Sequence, residues 1–160
     1  MRASPIQLLE SFPEKVLVEV ALLDQDEEQG QQAFEKVDLQ IMRGIEPCSD
    51  FWKIDPPVSG VNERTFRVTL GVKTPENKPA GGYSFEFVVS GVVACLPEHV
   101  GDKAPIDLAF EYGLTILYGM IREQFSFLSA RMQPGIRFLP TVSFMGEMAA
   151  KPLPASDSSE

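Results

Sequence analysis

Residues 116–128 read ILYGMIREQFSFL. Set at the roughly 100° per residue of a helix, Ile116, Leu117, Tyr118, Met120, Ile121, Phe125, Phe127 and Leu128 spread over roughly 200° of arc. Only Gly119, Arg122, Glu123 and Ser126 form a polar stripe. A helix that lies on its own domain needs an apolar stripe of about 100° or a little more. The surplus predicts two partners for one helix: a sheet of the same chain on one side and a copy of itself on the other, in a symmetric oligomer. Ile116, Leu117, Met120, Ile121, Phe125 and Leu128 are the expected interface residues.

The helical period extends outward from this stretch, from about Phe110 to Met132, with Gly135 just beyond it as a stop. Upstream the period is two. In Thr65 to Lys73, Phe66, Val68, Leu70 and Val72 alternate with Thr65, Arg67, Thr69 and Lys73, one dry face against one wet face. After the turn-rich connector PENKPAGG, Tyr83, Phe85, Phe87, Val89 and Val93 oppose Ser84, Glu86, Val88, Ser90 and Val92. Two long strands joined by such a connector are antiparallel neighbours.

Nearer the start, the lead SPIQLLESF is followed by KVLVEVALL, which alternates Val16, Val18, Val20 and Leu22 with Leu17, Glu19, Ala21 and Leu23. DQDEEQGQQ reads as a solvated loop, VDLQIM offers a weaker alternation, and EPCSDFWKIDPPVSG is too rich in Pro, Gly, Ser and Asp to be regular. Past the helix, IRFLPTVSF is extended and broken by Pro140, and KPLPASDSSE has the composition of disorder. The order of strands first and a long helix last predicts an α+β domain, an antiparallel sheet with the helix packed on one face. One domain over residues 1–148 and a disordered tail over 149–160 are expected.

Bulk composition narrows the function. The 160 residues are 44% hydrophobic, enough for one real core. Fourteen Lys and Arg against 23 Asp and Glu leave a net charge of -9, which argues against a nucleic-acid partner, since phosphates are gripped by clustered cations. The chain has no apolar run long enough to span a membrane, and Met1 to Glu10 lacks the pattern of a signal peptide, so a cytoplasmic protein is expected. Cys48 and Cys95 have neither CxxC spacing nor a histidine cluster beside them; two free buried thiols and no zinc are expected.

Chemistry is not spelled out. No nucleophile with its base, carboxylate pair, phosphate cradle or cofactor motif is apparent, and an enzyme is not expected. His99, the lone histidine, sits in a Pro- and Gly-flanked loop and reads as solvent-exposed. Arg122 and Glu123 fit either a buried interface pair or a solvated stripe. The six Met and eleven Phe fit either core positions or a soft binding surface.

Taken in order, SPIQLLESF…KVLVEV, FRVTLGV, YSFEFVVSGVV, ILYGMIREQFSFLSAR and LPTVSF resemble the SecB family of bacterial export chaperones and its SecB-like relatives. The family signature is an aliphatic pair, an aromatic and an Arg-Glu in the long helix, then a Pro and an Asn- or Ser-Phe. It is matched by Ile116, Leu117, Tyr118, Arg122, Glu123, Pro140, Ser143 and Phe144. The resemblance implies a four-stranded antiparallel sheet with a long helix, assembled as a homotetramer, a dimer of dimers. It implies an ATP-independent holdase that keeps preproteins unfolded and passes them to the SecA motor of the Sec translocase. The acids of the SecA-docking face carry over to Glu19 and Glu86. At a further acid of that face stands Lys15, with Glu14 beside it.

The second amphipathic helix of the family is replaced by MGEMAAKPLP, where Pro152 and Pro154 prevent much helix. Phe34, Phe51, Trp52 and Ile54 are candidate replacement walls for the client groove; Phe51 and Trp52 fit equally as anchors that pack a loop down. Two other readings stay open: a relative dedicated to a specific client such as the antitoxin of a toxin–antitoxin pair, and a ligand-binding domain of the same shape.

Overall fold

The computed structural model describes residues 6–21, 38–48, 64–76, 78–95, 102–133 and 135–147. Four strands, β1 (Ile6–Val20), β2 (Gln40–Pro47), β3 (Thr65–Lys73) and β4 (Tyr83–Cys95), precede one helix, α1 (Pro105–Ser129). They form one antiparallel sheet in the order β1-β4-β3-β2, and α1 lies on one of its faces over β4 and β3 and against β1. This is the α+β architecture that the switch of period from two to 3.6 predicts.

The β3–β4 hairpin is the centre of the sheet because its alternation is the cleanest. Phe66, Val68, Leu70 and Val72 stand beside Val93, Gly91, Val89 and Phe87 in register and are buried under α1. The connector turns through Gly81 and Gly82, both at positive φ, as a tight turn demands.

Three boundaries differ from the sequence reading. β1 begins at Ile6, within the lead SPIQLLESF, and shifts register between Leu8 and Glu10 and again between Pro13 and Lys15. Those bulges break the strict alternation that would have revealed the strand. β2 runs on to Pro47, paired along β3 from Gln40 opposite Lys73 to Pro47 opposite Phe66. α1 begins five residues before the predicted Phe110, with Pro105 in its first turn after an extended Ala104; a proline there costs no hydrogen bond.

Packing between helix and sheet is close. At Gly113 a Cβ would stand 2.8 Å from Cγ2 of Val68, so only a glycine lets α1 approach β3 there. Phe125 is wedged among three rings of β4, with centroids 4.8 Å from Phe85, 5.7 Å from Tyr83 and 6.2 Å from Phe87. Such ring packing adds about 0.5–1.5 kcal/mol per pair beyond the area buried.

The expected interface set therefore divides. Leu117, Ile121 and Phe125 are wholly inside the chain's own core, because they are the side of α1 that faces the sheet. A contact with a second copy cannot reach them. Ile116, Met120 and Leu128 are only half-buried and keep surface on the flanks of the helix.

Candidate functional site

Four of the residues that carry the family resemblance, Tyr118, Arg122, Pro140 and Phe144, come together where the chain beyond the helix packs on it. Beyond α1 the chain reverses near Gly135, whose φ is 107°, and residues 135–147 run back along the helix as a strap without regular structure that ends in a turn over Phe144–Glu147. Tyr118 donates its hydroxyl proton to the Pro140 carbonyl at 2.6 Å, and Arg122 Nε donates to the Leu139 carbonyl at 3.0 Å. The Tyr118 and Phe144 rings meet edge to face with centroids 5.7 Å apart. Ser143 stays exposed on the strap. This part of the signature is thus a clasp between helix and strap rather than a set of reactive groups. Burial pushes the Tyr118 hydroxyl up to about 12, with nearby Arg122 pulling the other way. Near the start of α1, Lys103 Nζ donates to Glu111 Oε2 at 2.8 Å. That bond is the main reason the Glu111 carboxyl, almost sealed from solvent, lies below its ordinary range.

Arg122 and Glu123 part company. Arg122 turns to the strap, whereas Glu123 lines a cleft of about 370 Å³ with Pro13, Val89, Met120, Gln124 and Phe127, between β1 and the helix. The rim of this side is apolar: Phe127 is 58% exposed, and Val16 and Val20 of β1 are uncovered. On the strap, Ile136, Phe138 and Met145 are also exposed. Neither group was singled out from sequence. The alternation of β1 places Val16 and Val20 on one face without showing that α1 leaves them uncovered, and Pro140 breaks the period of the strap; the apolar pair Ile136 and Phe138 in IRFLP was the available signal.

Glu19 and Glu86 are brought together. In register Leu17 faces Glu86 and Glu19 faces Ser84, which puts both acids on the sheet face away from α1. They line one shallow depression of about 230 Å³ with Glu76 and Lys73. The face is not uniformly acidic. Lys15 forms an ion pair with Glu86, Arg67 pairs with Glu46 at 3.2 Å, and Glu14 accepts a hydrogen bond from Ser90.

Phe34, Phe51, Trp52 and Ile54, His99 and the 149–160 tail lie outside the described residues. Cys48 and Cys95 are free and buried, and burial pushes the Cys95 thiol up to about 11. Among the described residues no group of three or more His, Cys, Asp or Glu is placed to hold a metal ion. None of the described helices is long and apolar enough to cross a membrane.

No protein-family model matches the chain, and no curated protein matches it. Among solved structures it is similar to a SecB-like chaperone. That protein is the Mycobacterium tuberculosis Rv1957 SecB-like chaperone, solved in complex with a ChAD peptide from the Rv1956 HigA1 antitoxin. The two are 14% identical over 87% of this chain and 85% of that one, with a TM-score of 0.46.

Proposed function

We propose that this protein is an ATP-independent holdase of the SecB type, a single domain over residues 1–148 that acts in the cytoplasm without a cofactor. It binds unfolded preproteins and keeps them competent for the Sec translocase. The observation that carries the reading is the apolar surface left over once the core is complete: Val16, Val20 and Phe127 on one flank of α1, and Ile136, Phe138 and Met145 on the strap. Large side chains exposed in groups mark surfaces that meet other chains.

The two groups have different assignments. The β1 flank, with the half-buried Ile116, Met120 and Leu128, meets further copies in a homotetramer, a dimer of dimers. The strap group meets the client, with Phe34, Phe51, Trp52 and Ile54 as further walls of the groove. An apolar groove holds unfolded segments with little sequence preference, because such segments expose apolar side chains in many patterns.

The test is light-scattering mass, together with suppression of the aggregation of a reduced, unfolding client without nucleotide. A mass near four chains with stoichiometric suppression is expected. A stable monomer that leaves aggregation unchanged overturns the proposal.

A second reading, a chaperone dedicated to one client such as an antitoxin, is favoured by the Lys15–Glu86 ion pair. A basic SecA tail would dock on Glu19 and Glu86 by charge, and Lys15 cancels part of that field. Salt-sensitive binding of such a tail, weakened by Glu19→Gln and Glu86→Gln, supports export. Suppression of aggregation with no tail binding at low salt supports the dedicated client.

A further inference from the structure

The strap itself has the properties of a bound client. Before its closing turn over Phe144–Glu147 it belongs to no helix or sheet, and it inserts two apolar side chains, Leu139 and Phe144, into the core, where they are 1% and 2% exposed. Its polar attachments go to its backbone. Tyr118 donates to the Pro140 carbonyl, Arg122 to the Leu139 carbonyl, and Ser129 Oγ lies 3.3 Å from the Arg137 carbonyl while accepting from the Arg137 N–H at 3.0 Å. Every peptide offers those same carbonyls, so the helix face reads an extended backbone plus apolar insertions and hardly any sequence.

The ends of the strap turn on two glycines. Gly135 and Gly146 bracket the strap with φ of 107° and 81°, conformations open to glycine at little cost, and the Tyr83 hydroxyl holds Gly135 by donating to its carbonyl at 2.7 Å and accepting from its N–H at 3.1 Å. The far end is held twice: the Gly146 backbone N–H donates to the nearly sealed Glu111 carboxylate, and Glu147 forms an ion pair with Arg43 of β2, with both side chains about one-third exposed. Pairs of that kind are weak and are screened by salt. Arg43 stands opposite Leu70 on the helix-facing side of the sheet, so the strap covers the β2 half of that face beside α1.

We infer that residues 135–147 are an internal stand-in for the client, and that an extended apolar segment of an unfolded chain takes their place when the strap swings out about its two glycines. The inference rests on the holdase reading and adds its regulation: the groove is closed at rest and opens in exchange for a client.

Hydrogen exchange tests it, with reduced carboxymethylated α-lactalbumin as a permanently unfolded probe. Exchange of the amides of 138–144 is expected to rise at least tenfold when the probe is bound. As a second measurement, cysteines at positions 43 and 147 (Arg43→Cys, Glu147→Cys), with Cys48 and Cys95 replaced by Ala, are joined by a cleavable bis-maleimide. The joined protein is expected to bind the probe at least tenfold more weakly and to recover when the linker is cut. Glu147→Lys, which repels Arg43, is expected to tighten binding severalfold. Probe binding with unchanged or slower exchange of 138–144 overturns the strap inference and leaves the holdase reading standing. Failure of the wild-type protein to bind the probe at all overturns both.

Discussion

Phe125 and Phe127 stand two residues apart on α1 and meet opposite surroundings. Phe125 is 0% exposed among Tyr83, Phe85 and Phe87, whereas Phe127 is 58% exposed, with the Arg131 guanidinium 3.7 Å from its ring centroid. Two steps of roughly 100° turn a side chain to the other side of a helix, so the same residue type is core at one position and surface at the next. The contrast resolves the wide apolar arc of α1. Its inner part is satisfied by this chain's sheet, and only the flanks remain for another molecule.

Substitution at these two positions should show the largest contrast in the molecule. Phe125→Ala is expected to cost about 3–5 kcal/mol in denaturant unfolding, through lost burial and the cavity left among three rings. Phe127→Ala should stay within about 0.5 kcal/mol of wild type while lowering the mass in solution. Similar losses at both positions would mean that the outer flank of α1 is part of the monomer's core.

Two glycines of the same helix give the next contrast. Gly113 faces Val68 at a distance that leaves no room for a Cβ, whereas a Cβ at Gly119 would meet nothing within 4 Å. Gly113→Val should destabilise by about 1–3 kcal/mol through overpacking. Gly119→Ala should stabilise by up to about 1 kcal/mol, because alanine is the better helix former. A stabilising Gly113→Val would show that α1 can lift from β3 without loss.

The sequence was informative where one physical rule acted alone. β3 and the first half of β4 alternate under the helix, and their faces were legible there; from Ser90 to Cys95 both faces of β4 are buried and the alternation fades. β1 obeys it only in its second half; the bulges at Leu8–Glu10 and Pro13–Lys15 rotate the side chains and conceal the first half. The start of α1 was hidden by Pro105, which reads as a breaker in a window average and as a first-turn residue only when the cap is considered. For the site, alternation placed Glu19 and Glu86 on one face, but the partner of Glu86 depended on how the Pro13–Lys15 bulge aims Lys15. Helical periodicity gave the width of the apolar arc on α1 and no sign of which part would meet the sheet, since that depends on packing against strands distant in the sequence.

The clasp and the core respond differently to alkali. Burial pushes the Tyr118 hydroxyl, which donates to the Pro140 carbonyl, up from its ordinary 10.0 to about 12, against the pull of nearby Arg122. A group raised in the folded state contributes stability that is complete below its unfolded value and is lost as pH rises through the folded one. The Tyr118 contribution should therefore fade between about pH 10 and 12, and that of Cys95 between about 9 and 11. Tyr118→Phe should cost about 0.5–1.5 kcal/mol at neutral pH and remove the upper part of the alkaline loss, followed by unfolding midpoints across that range. An unchanged alkaline profile would mean that the strap carbonyl does not depend on this hydroxyl.

On the outer sheet face a small effect on stability is expected beside a clear effect on binding. Lys15 and Glu86 form an ion pair with half and one-third of their side-chain surface exposed, a setting in which water and salt screen most of the attraction. Lys15→Ala should therefore change unfolding free energy by less than about 1 kcal/mol. It also leaves Glu86 without that neighbouring cation and removes one positive charge from the face that carries Glu19 and Glu76. A basic peptide should then associate faster at low salt, with the gain lost at high salt, because charge on an exposed rim acts mainly on the encounter. A large loss of stability would instead show that Lys15 holds the bulge of β1 in place, and a salt-independent affinity would show that the peptide binds elsewhere.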